Sequence, residues 1–96
     1  MTGDSVRQDV RIVNRLGLHA RPAAALVQLA SGFDCSVEVE RGDLRVNAKS
    51  IMGVLMLAAE QGAELTVYAT GPDAAPAVEA LVDLFRRGFE DVDEGI

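Results

Sequence analysis

Apolar and polar residues alternate in four short stretches of the chain and recur at helical spacing in three others. From Arg7 to Val13 the pattern predicts a strand, with Val10 and Ile12 on one face and Val13 breaking the alternation. Asn14-Arg15-Leu16-Gly17-Leu18 then predicts a turn or loop, since Asn and Gly both tolerate unusual backbone angles. Between Ala20 and Ala30, Ala23, Leu26, Val27 and Ala30 form one helical stripe, and Ser31-Gly32 is the stop signal. Cys35, Val37 and Val39 alternate with Ser36, Glu38 and Glu40. A short hairpin turn at Arg41-Gly42-Asp43 leads to a return strand through Leu44, Val46 and Ala48. Ser50 is placed to cap a short apolar helix over Ile51–Ala58, which Gln61-Gly62 ends. Leu65, Val67 and Ala69 make a fourth strand. After Thr70-Gly71-Pro72, Asp73 is placed to cap a last helix carrying Val78, Leu81, Val82 and Phe85, with Phe89 expected to fray at its end.

The order is β-α-β-β-α-β-α, an α+β domain with helices on one face of a sheet. The alternating strands imply that the other face is wet, which favours antiparallel pairing. Periodicity leaves the strand order open, and a ferredoxin-like split βαβ arrangement shares all of the string but the last helix.

Composition narrows the function. Ninety-six residues, 49% of them hydrophobic and 25% charged, make one globular domain with a modest core and little room for a deep cleft. A single cysteine, Cys35, excludes an internal disulfide and a multi-cysteine metal site, and fits a reduced, cytoplasmic setting. No stretch is apolar enough for membrane insertion, and the polar N-terminus does not read as a signal peptide. The net charge of −6 is uneven: residues 1–50 carry seven basic and six acidic residues, residues 51–96 two and nine. No positive cluster exists to hold a nucleic-acid backbone, and the acidic run Glu90–Glu94 reads as a solvated tail.

Two segments carry candidate chemistry. His19, the only histidine, falls where the loop meets the first helix, with Pro22 in the first turn. Unsatisfied amides and the helix dipole attract an anion there, and Arg21 adds a guanidinium that can fork onto phosphate oxygens. A neutral imidazole is a nucleophile near pH 7, so His19 can accept a phosphoryl group. The plainer reading is a surface histidine beside a turn. A hydrolase triad lacks its nucleophile elbow, and one histidine makes no metal site. The second segment is Asn47–Met56. Ser50 is explained as a helix cap, and a phosphate added there would be tolerated by the dipole. Ile51, Met52, Leu55 and Met56 cannot all face a small core, so part of that helix is expected to form an exposed apolar patch.

The octet Leu16-Gly17-Leu18-His19-Ala20-Arg21-Pro22-Ala23 resembles the phosphohistidine signature of the HPr family. These are the histidine-containing phosphocarriers of the bacterial phosphoenolpyruvate-dependent phosphotransferase system. Val46–Val54 resembles that family's regulatory-serine segment, and Gly62-Ala63-Glu64-Leu65 with Gly71-Pro72-Asp73-Ala74 matches its closing part. The likeness covers roughly residues 8–88, and the chain, 1–96, is expected to form one such domain, with a core over about 7–89 and a flexible acidic C-terminal tail. It implies an open-faced β-sandwich, a four-stranded antiparallel sheet with three helices on one face. It also implies that Enzyme I phosphorylates His19 at Nδ1, that Arg21 orients the phosphoryl group, and that an EIIA-type domain receives it. No cofactor or metal is implied, and the carrier is expected to be a monomer. Ser50 is implied as a target of HPr kinase/phosphorylase, and Ala20, Ile51, Met52 and Leu55 as partner contacts. Between His19 and Ser31, where the family often places lysines, Arg21 is the only cation, which implies weaker electrostatic steering to an acidic Enzyme I. The stretch Ser50–Ala59 also resembles the nitrogen-related paralogue NPr. That resemblance leaves a regulatory branch, or a Ser50-dependent interaction module, beside the sugar-transport reading.

Overall fold

The computed structural model describes residues 5–90 and 92. The expectations made for Met1–Asp4 and for Asp91, Asp93 and Glu94 lie outside the described residues. The elements are β1 (Ser5–Arg11), α1 (Ala20–Ser31), β2 (Ser36–Arg41), β3 (Leu44–Asn47), α2 (Ile51–Met56), β4 (Glu64–Thr70) and α3 (Ala74–Arg86). The four strands form one sheet in the order β1-β4-β2-β3, antiparallel throughout. This is the expected open-faced sandwich. The period-2 pattern decides the two faces: Val37, Val39, Leu65, Val67 and Ala69 point to the core, while their neighbours stay wet. On the wet face Tyr68 lies under the Arg45 guanidinium, 3.7 Å from the ring centroid, and donates to Glu40 at 2.6 Å. That bond to a carboxylate raises the Tyr68 hydroxyl above its usual pKa.

The helices bury their expected stripes. Ala23, Leu26 and Ala30 of α1 and Val78, Leu81, Val82 and Phe85 of α3 are buried, while Val27 is only half-buried. Several boundaries differ from expectation. β1 ends at Arg11, although Ile12 continues its pairing toward the lead-in of β4 through Ile12 N–H to Ala63 O (2.9 Å) and Gly62 N–H to Ile12 O (2.8 Å). The hairpin turn is Gly42-Asp43 alone, because Arg41 still pairs with Leu44. Cys35 precedes β2 and is half-buried, and burial is the main reason its thiol pKa is raised. Asp73 stands at the N-cap of α3 without capping it: its Oδ2 accepts from the Asp34 amide (2.7 Å), tying α3 to the lead-in of β2. Phe89 does not fray. It is fully buried, its ring edge-on to Phe85 at a centroid distance of 5.3 Å. The α2 helix stops at Met56, two residues early, because Ala58 takes a left-handed conformation (φ +46°).

Candidate functional site

His19 is the N-cap of α1, with extended backbone (φ −78°, ψ −170°). Its carbonyl accepts the Ala23 amide at 2.9 Å, and its side chain makes no capping bond. The next amides, those of Ala20 and Arg21, therefore have no hydrogen-bond partner among the described residues, and Pro22 has no N–H to offer. No acidic residue occupies that first turn. Arg21, the second helical residue, is exposed and has no ion-pair partner among the described residues. By contrast, Arg11, Arg41, Arg45 and Arg87 each hold a carboxylate within 3 Å. The sequence predicts an exposed, surface His19. The ring is instead half-buried, with Nε2 withdrawn from solvent.

The loop before His19 is fixed by backbone. Asn14 Nδ2 donates to Gly17 O at 2.8 Å, closing the turn. Gly17 has φ +69° and lies flat on the chain after α2, where a Cβ would stand 2.3 Å from Ala59 O. Leu18 is buried, and its amide donates to Ala59 O at 2.9 Å. The tertiary structure thus seats the histidine loop against the C-terminal end of α2.

Ser50 caps the opposite end of that helix, its Oγ accepting from Gly53 N–H at 3.2 Å. The expected cap is present. The six residues of α2 span about 9 Å. They carry the exposed apolar side chains Ile51 (40%), Met52 (69%), Leu55 (38%) and Met56 (64%), while Val54 alone faces the core. Leu16, on the histidine loop, adds 51% exposure. A reading of the chain alone treats Leu16 and Gly17 as turn residues, and only the packing of one loop on another reveals their place.

A sequence model of the family described as the PTS HPr component phosphorylation site matches residues 6–87. The chain belongs to the HPr family. It is 50% identical over 86 residues to phosphocarrier protein HPr of Treponema pallidum, covering 90% of this chain and 98% of that one. It is 46% identical over 84 residues to phosphocarrier protein HPr of Cupriavidus necator, covering 88% and 94%. The crystal structure of HPr-C-His from Thermoanaerobacter tengcongensis superposes with a TM-score of 0.86 at 45% identity, covering 88% of this chain and 96% of that one. These likenesses favour a phosphotransferase-system phosphocarrier over the nitrogen-related paralogue. In this HPr domain the open first turn of α1 lies on the same loop-and-helix assembly as the exposed apolar residues of α2.

Proposed function

We propose that His19 is the phosphoryl acceptor and that Nδ1 is the atom that carries the group. The observation that supports this is the N-cap position of His19, with Nε2 enclosed and two uncommitted amides beside the ring. In the forward step the Nδ1 lone pair forms the new N–P bond while the donor's bond to phosphorus, on phosphorylated Enzyme I, breaks and returns its electron pair to the donor. The ring proton stays on Nε2. The amides of Ala20 and Arg21 and the Arg21 guanidinium spread the charge of the phosphoryl oxygens. A first turn without a carboxylate offers no general base to activate water, which suits a carrier that must keep its cargo until an EIIA-type acceptor attacks.

Partners dock on the rim formed by Ile51, Met52 and Leu55, to which Leu16 and Met56 contribute apolar area. Ser50 is the regulatory phosphorylation site for an HPr kinase/phosphorylase. A phosphate there replaces a hydroxyl that already accepts a helix amide, so the fold is retained while the rim gains negative charge. The protein acts in the cytoplasm as a monomer, with 7–89 as its folded core.

The test is incubation with Enzyme I and phosphoenolpyruvate. An acid-labile adduct of about 80 Da on His19 is expected. The His19→Ala variant should take none while keeping its stability to within about 1 kcal/mol. An adduct that survives this substitution refutes the assignment.

A further inference from the structure

We infer that Arg41, at the tip of β2 and outside both motifs, is a positioning residue for His19. The inference rests on the reading of His19 as phosphoryl acceptor. The histidine loop takes its place from the segment 57–60, through the Leu18–Ala59 hydrogen bond and the flat contact of Gly17 with Ala59 and Glu60. That segment has no regular structure of its own. The helix has ended, Ala58 sits at a left-handed φ of +46° that a β-carbon disfavours, and the last turn of α2 contains no basic residue to hold its free carbonyls.

The Arg41 side chain, one-third exposed, supplies what is missing. Its Nη1 donates to Leu57 O at 3.1 Å and to Ala58 O at 2.8 Å, and its Nη2 holds Glu60 at 2.8 to 3.0 Å. One planar guanidinium thus clamps both sides of the strained residue, a geometry that a point cation cannot reproduce in full. Because β2 is paired on both sides, to β3 and β4, Arg41 extends the rigidity of the sheet to the loop that carries the reacting ring. The contact runs from the sheet to Arg41, to 57–60, to Gly17-Leu18 and then to His19. Loss of Arg41 leaves the ring and the apolar rim free to shift relative to each other, and transfer chemistry is steep in such displacements.

The experiment compares wild type with Arg41→Ala, Arg41→Lys and Glu60→Gln. Hydrogen exchange of the Leu18 amide is followed by NMR, and phosphotransfer from Enzyme I is followed at saturating and limiting carrier. Expected for Arg41→Ala is Leu18 exchange faster by about tenfold and a saturated transfer rate lower by about tenfold, with KM nearly unchanged. Arg41→Lys should recover part of both and Glu60→Gln most of both. These milder variants carry the test if Arg41→Ala does not fold. Wild-type exchange at Leu18, or a loss confined to KM, in a folded Arg41 variant overturns the inference. If wild type takes no phosphoryl group on His19, the reading of the site fails instead, and the positioning role fails with it whatever Leu18 does.

Discussion

Substituting Gly17 by alanine tests whether the histidine loop is held by backbone contact. Two effects are calculable from the structure. At φ +69° an alanine pays the left-handed penalty of about 1–2 kcal/mol, partly offset by a stiffer unfolded chain. Its Cβ would also stand 2.3 Å from Ala59 O and 2.9 Å from Glu60 Cα, both backbone atoms that cannot rotate away. The loop must lift by about 1 Å to reach ordinary contact, which stretches the 2.9 Å Leu18–Ala59 hydrogen bond, worth about 1 kcal/mol. The expected net loss is about 1–2.5 kcal/mol, or about 5–20 °C in Tm for a domain of this size. Urea denaturation followed by far-UV circular dichroism is the assay, since the chain has no tryptophan. Gly42→Ala is the control: its φ is +59° and nothing lies within 4 Å of the added carbon, so it pays the backbone penalty alone. Phosphoryl acceptance by Gly17→Ala should fall by about tenfold or more, while Gly42→Ala should transfer as wild type. If the two variants lose equal stability and both transfer normally, the packing of Gly17 on Ala59 does not position His19.

Three further outcomes are expected. Leu81→Ala, at a fully buried site, should cost about 2–5 kcal/mol in denaturation while the folded variant still takes up the phosphoryl group at the normal rate. Ala58→Gly should raise stability by about 0.5–1 kcal/mol, read as a higher urea midpoint, because glycine accepts φ +46° without strain. The Glu60 carboxyl is held below the usual glutamate range, first by its own backbone amide and then by Arg41. Since its folded pKa is the lower one, the stabilisation is fully present above the ordinary glutamate range. It is lost as pH falls through the lowered folded value. Glu60→Gln should flatten that part of the acid limb in a series of denaturation midpoints against pH, and an unchanged limb would contradict the Arg41–Glu60 contact.

Much of this protein was legible along the chain because the deciding interactions are local or periodic. Alternation placed Val37, Val39, Leu65 and Val67 on the inner face, and helical spacing placed Leu26, Leu81 and Phe85 in the core. Ser50 was legible as a cap because its bond to Gly53 spans three residues. The octet around His19 pointed to a helix start with free amides, which is where the structure puts it. Other features depend on partners far away in sequence. Strand order, the half-burial of His19 and the burial of Phe89 follow from how the layers meet, which no window of ten residues contains. Asp73 caps on paper, yet its carboxylate goes to Asp34, 39 residues earlier. Arg41 reads as a turn residue until its carbonyl partners, 16 and 17 residues on, are brought beneath it. The chain by itself singled out the residues proposed to meet a phosphoryl group. Only the tertiary structure decided how the histidine is held, because the contacts that hold it join segments that sequence spacing leaves unrelated.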